Sequence, residues 1–82
     1  MVQHSLDKLQ AAFREALPLP EHVNYSQIMY GQTKGWDSIA HMTLIAAIET
    51  QFDVMLSTEE LIALSSFSKA RELLQHHGVT FE

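Results

Sequence analysis

Three neighbouring side chains in the middle of the chain are of types that do chemistry: Asp37, Ser38 and His41. Ser38 stands where a polar stretch punctuated by Gly31 and Gly35 gives way to a mostly apolar one. The pattern predicts a helix starting here, with a hydroxyl at its exposed N-terminus. Backbone N–H groups lack partners at such an end, and the helix dipole is positive. A phosphate is well accommodated there. The first expectation is therefore that Ser38 is the attachment point of a phosphate-linked prosthetic group and that the other residues form its platform.

A hydrolytic triad can be drawn from the same residues, and the spacing argues against it. Neighbours on one helical turn do not easily align a base on the nucleophile with an orienting acid behind it. His41 falls at the edge of the apolar sector and reads as a partly buried packing residue. His76 and His77 are adjacent, so they diverge on a helix, and no cysteine completes a zinc site.

The elements that must position Ser38 follow from periodicity. Leu6, Leu9, Phe13 and Leu17 make one stripe, with Ser5 as N-cap, and Pro18 disfavours helical geometry at Leu17. This predicts a helix over 5–17. Residues 18–36 hold two prolines and two glycines, a long connection that needs pinning. Val23, Ile28, Met29 and Tyr30 are the expected pins, with a short turn near Tyr25. A second helix is expected over 38–52, with Leu44, Ile45, Ile48 and Phe52 on its core face and Ile39, Thr43, Ala46 and Thr50 on another. Ile39 is either a single exposed apolar residue or a partner contact. Ser57 and Glu60 fit a capping box for a short helix over 58–64. Ser65-Ser66 caps a last helix over 67–77, with Phe67, Ala70, Leu73 and Leu74 inward and Gly78 at its end. The expectation is one all-α domain over 1–82: a four-helix bundle of three longer helices and one short one, with a long first loop.

At 82 residues the chain buries only about 60–65% of its unfolded surface, so the core is small. It has no cysteine, which excludes disulfides and suits a reducing compartment. No basic-then-apolar leader is visible in Met1-Val2-Gln3-His4 and no apolar run nears the ~20 residues of a membrane span. A cytoplasmic monomer is expected. The net charge of −5 lies wholly in one segment. Asp37, Glu49, Asp53, Glu59 and Glu60 fall between Lys34 and Lys69 with no Lys or Arg among them, while the remainder balances at five acids and five bases. That face disfavours nucleic acid. It is either a solvated face or one that steers basic protein partners.

The chain resembles an acyl carrier protein of the phosphopantetheine-binding family, from the first helix through Leu74. The family's Asp-Ser-Leu attachment motif stands here as Asp37-Ser38-Ile39. Its Glu-x-x-Phe helix end stands as Glu49-Thr50-Gln51-Phe52. A short acidic helix and a fourth helix opening on an apolar residue follow in register. The resemblance implies a non-catalytic carrier. A phosphopantetheinyl transferase would join 4′-phosphopantetheine from coenzyme A to Ser38, with Asp37 aiding recognition, and acyl groups would ride on the arm's thiol as thioesters. It also implies partner contacts at Ile39, Met42, Thr43, Ala46 and Glu49, with Glu59 and Glu60. The partners implied are acyl ligase, ketosynthase or acyltransferase enzymes with basic docking surfaces. Asp37 can equally be a plain N-cap, and the two roles are compatible.

One departure bears on pathway. Ala40, Thr43, Thr50 and Gln51 stand where fatty-acid carriers of the dissociated bacterial type often have acids, and Glu49 is the one carboxylate from Ser38 to Phe52. This points away from housekeeping fatty-acid synthesis and towards polyketide, lipopeptide, modified-sugar or other specialised acyl transfer. Trp36 before Asp-Ser also resembles such carriers. A peptidyl or aminoacyl carrier with the same arm is the nearest alternative, and a helical adaptor without an arm is the third.

Overall fold

The structure is a computed structural model that describes residues 4–81; Met1–Gln3, where no leader was expected, and Glu82, the end of the expected tail, lie outside the described residues. It is an all-α bundle. Among the described residues four helices run in the order α1 (Ser5–Ala16), α2 (Ser38–Phe52), α3 (Thr58–Ala63) and α4 (Phe67–His76), with a 3-10 turn at Tyr25–Gln27 in the first loop. The all-α expectation holds, with small changes at the ends. Leu17 is extended (φ −123°, ψ 145°), so Pro18 stops α1 one residue earlier than periodicity alone placed it. His4 is the N-cap residue of α1, and Ser5, expected to be the cap, is already helical. α3 and α4 each end one residue short of the expected 64 and 77, because Leu64 and His77 have left helical geometry to become C-caps.

α1 packs along α2, and the 3-10 turn packs on α4. Phe13 is fully buried at the centre. Its ring meets the edge of Trp36 at 5.5 Å and the ring of Phe67 at 4.9 Å. One α1 side chain thereby joins the end of the first loop to the start of α4. Leu44, Ile45 and Ile48 line the core as their spacing required, Phe52 is partly buried against it, and Ala47 joins the core face as well.

The first loop is long but not loose. Ile28 is buried and Val23 packs partly against the core, as expected of pins. Met29 and Tyr30 pin by a different means. Their side chains are nearly half exposed, and it is the backbone that is held. Met29 forms an isolated antiparallel bridge with Ser66, Tyr30 N–H donates to Ser65 O (2.8 Å), and Phe67 N–H donates to Ile28 O (3.3 Å). Arg14 adds a clamp from α1, donating to the carbonyls of Pro20 (3.1 Å) and Glu21 (2.8 Å).

The two ends of this loop meet. Gly35 is left-handed (φ +87°), and a Cβ placed on it would lie 2.6 Å from Pro18 Cδ and 2.7 Å from Cγ. Both the dihedral and the space exclude a side chain there. Gly35→Ala is expected to lower stability by about 1–3 kcal/mol, read from the urea midpoint. An unchanged midpoint would mean that the loop closes without this contact.

Candidate functional site

The segment before α2 is built residue by residue towards Ser38. Met29 O accepts from Gln32 N–H (3.2 Å) and Thr33 N–H (2.9 Å), and Thr33 Oγ1 accepts from Met29 N–H (2.9 Å). Thr33 O then accepts from Trp36 N–H (3.1 Å). The Trp36 side chain is 3% exposed and in edge contact with Phe13 and with Tyr30. Its sequence position marked Trp36 as a resemblance and gave no sign of this burial. The signal was available only in its size: an indole so close to a helix start is placed cheaply only by packing.

From that anchor the chain turns outward. Asp37 is extended (φ −108°, ψ −170°) and is the N-cap of α2, with Oδ1 accepting from Ala40 N–H (2.9 Å). Its carbonyl takes the first helical bond, from His41 N–H (2.8 Å). Ser38 is the first residue of α2 and is exposed. The expected arrangement is present: a hydroxyl on the first helical residue, with the helix behind it and solvent in front.

His41 is partly buried, as its place in the apolar pattern suggested. Its hydrogen bonds were not legible. Trp36 Nε1–H donates to His41 Nδ1 (3.0 Å), and His41 Nε2 lies 2.8 Å from the carbonyl of Leu61 on α3. Both ring nitrogens are thus engaged with partners other than Ser38, which leaves His41 no nitrogen with which to serve Ser38 as a base in this arrangement.

The residues that the resemblance assigned to partners fall into two groups. Ile39 (80% exposed), Met42 (54% exposed), Thr43 and Ala46 share the outward side of α2. Glu59 is exposed on α3. The two remaining acids have internal bonds. Glu49 Oε2 accepts from Leu56 N–H (3.0 Å), which fastens the α2–α3 connection. Glu60 closes the capping box with Ser57, accepting from its N–H (2.9 Å), and lies 2.8 Å from His77 Nε2 at the end of α4. Ile62 on α3 is 74% exposed and was not singled out in the sequence. Only the turn-by-turn facing of so short a helix reveals it. Ala46 and Ala47 line one groove, with Glu15 and Met42, while Leu61 lines another, with Tyr30 and His41.

Among the described residues no group of His, Asp and Glu is placed to hold a metal ion, and no helix is long and apolar enough to cross a membrane. Comparison with protein-family models, with curated proteins and with solved structures finds no match to this chain. The functional reading therefore rests on its own residues.

Two predictions follow from the bonds around these acids. Asp37→Ala is expected to cost about 1 kcal/mol through loss of the α2 cap, and Asp37→Asn much less, because an amide oxygen can still accept from Ala40 N–H; thermal unfolding of the two variants measures the difference. The Glu60 carboxyl is held below its ordinary value of 4.5, first by the Ser57 N–H and then by His77, with burial opposing. A lowered acid stabilises the fold above its ordinary value and loses that contribution as pH falls from 4.5 through the lowered value. The protection of α3 amides, taken relative to their intrinsic exchange rate at each pH, should accordingly fall below about pH 4.5, and Glu60→Gln should flatten that dependence.

Proposed function

We infer that the chain is an acyl carrier protein, bearing 4′-phosphopantetheine on Ser38 and presenting acyl groups to other enzymes. The observation that carries this reading is the placement of Ser38 as the exposed first residue of α2, directly after an Asp37 cap and a buried Trp36 anchor. That is what Asp37-Ser38-Ile39 requires of an attachment site.

The residues present fit the group. Ser38 is open to solvent, so a linear arm meets no wall in leaving it. A phosphodiester formed there keeps its negative charge at the N-terminal end of a fifteen-residue helix, where N–H groups and the dipole favour an anion. The arm, when present, supplies a thiol that carries acyl groups as thioesters, a nucleophile that a chain without cysteine lacks. The protein's own part is to present it. Asp37 holds the first turn of α2 in place for a phosphopantetheinyl transferase. Ile39, Met42, Thr43 and Ala46 offer a neutral, partly apolar surface beside the arm, with Glu59 on α3, for acyl ligase, ketosynthase or acyltransferase partners. In this reading those partners bring basic groups to the acidic 35–68 segment, in a cytoplasmic setting where coenzyme A is at hand.

The sparse charge on α2 supports a specialised pathway over the housekeeping fatty-acid route. Its one carboxylate, Glu49, is bonded inward to Leu56 N–H, so little negative charge faces a partner along that helix.

Incubation with coenzyme A and a promiscuous phosphopantetheinyl transferase, followed by intact mass, tests the proposal. One added arm on the wild type and none on Ser38→Ala is the expected result. No arm on either would sink it.

A further inference from the structure

α3 is six residues long and contributes no fully buried side chain. A helix so short is not stable by itself, and its last carbonyls have no partners within it. Glu60 O is satisfied by Leu64 N–H (3.0 Å). Leu61 O is satisfied from outside the helix, by His41 Nε2 at 2.8 Å. The opposite end is tied too, by the contact of Glu60 with His77. Leu61 packs partly against the core, and side-chain bonds from α2 and from the end of α4 add to the hold on this short helix.

The bond from α2 depends on which nitrogen of His41 carries the proton, and Trp36 settles that. An indole N–H can only donate. It points at Nδ1 from 3.0 Å, with the two ring planes 21° apart. Nδ1 must accept, so Nε2 carries the proton and donates to Leu61 O. Tyr30 closes the other side of the ring, edge-on at 5.4 Å. The chain of bonds runs from the buried anchor of the serine loop, through one imidazole, into the backbone of α3.

We propose that His41 is a positioning residue: a tertiary C-cap for α3, with its tautomer fixed by Trp36, that sets α3 against the Ser38 end of α2. The consequence for docking, that Glu59 and Ile62 are presented in a fixed relation to Ser38, rests on the carrier reading. The cap itself does not. His41→Phe keeps a ring in the site and removes both bonds. His41→Gln keeps one acceptor and one donor a bond angle apart and can restore them.

The test is amide hydrogen exchange at residues 58–64, set against core amides of α1 and α2, with the His41 ring nitrogens observed by NMR in the wild type. Expected are an unprotonated Nδ1 with a protonated Nε2, α3 exchange about tenfold faster in His41→Phe beyond any change in α1 and α2, and recovery of most of that in His41→Gln. A proton on Nδ1 would overturn the proposal. So would α3 amides unmoved in His41→Phe, or a rise equal in every helix, which marks an ordinary packing residue. Trp36→Phe gives a second route: it removes the fixing donor, and α3 exchange should again rise more than that of α1, whereas an unchanged ratio counts against the mechanism. Arm addition by the transferase is scored in parallel on the wild type and on His41→Phe. A wild type that takes no arm defeats the carrier reading and leaves the exchange result to decide the cap; a normally loaded His41→Phe with fast α3 exchange supports the cap.

Discussion

Burial of the Trp36 indole is the constraint on which the site depends. Two residues before Ser38, the chain commits its largest side chain to the core against Phe13. Having done so it must emerge at once, and it does so through an extended Asp37 that caps α2 and leaves Ser38 outside. Behind the indole, Gly35 presses on Pro18, so the long loop is closed at its base. The position of Ser38 is thus set by the core of the bundle and not by the surface loop that happens to precede it. In the proposed function a modifying enzyme gains from this, because the backbone around the hydroxyl is already in place and its ordering does not have to be paid for on binding.

The same indole reaches further than packing. Its one polar atom must find an acceptor when buried, and it finds His41 Nδ1. That requirement orients a ring whose other nitrogen meets α3. Hydrophobic anchoring of the loop and polar anchoring of the shortest helix are therefore one linked arrangement. The exposed residues on the two sides of it, Ile39 and Met42 on α2 and Ile62 on α3, are all large and apolar. In the proposed function these three side chains serve docking.

Much of this is legible in the sequence. Helix starts are legible where a short polar side chain announces them, since Ser57 with Glu60 and Ser66 before Phe67 act locally and need no tertiary partner. The start of α2 was legible for the same reason. Ser5 is the exception, because a capping type one residue inside the helix looks the same in sequence as one at its edge. What periodicity could not supply was the use of polar atoms at long range. Glu49 reads as a surface acid on a helix, yet its carboxylate turns back to Leu56 N–H. Met29 and Tyr30 read as apolar pins, yet it is their backbone groups that pair with Ser65 and Ser66. His41 reads as packing, and nothing in its neighbourhood announces a carbonyl twenty residues away. Bonds of this kind join groups distant in sequence, and a single sequence carries no record of them.

In the proposed function Ser38 carries a phosphodiester-linked arm, and the decisive measurement is made on the protein as its own cells produce it. Tandem mass spectrometry of the peptide spanning Trp36 to Phe52, from protein purified without added transferase, locates any modification. Phosphopantetheine on Ser38, free or acylated at its thiol, in a substantial share of the molecules is the expected result. Ser38 found unmodified throughout, in cells that contain coenzyme A and an active transferase, would contradict it.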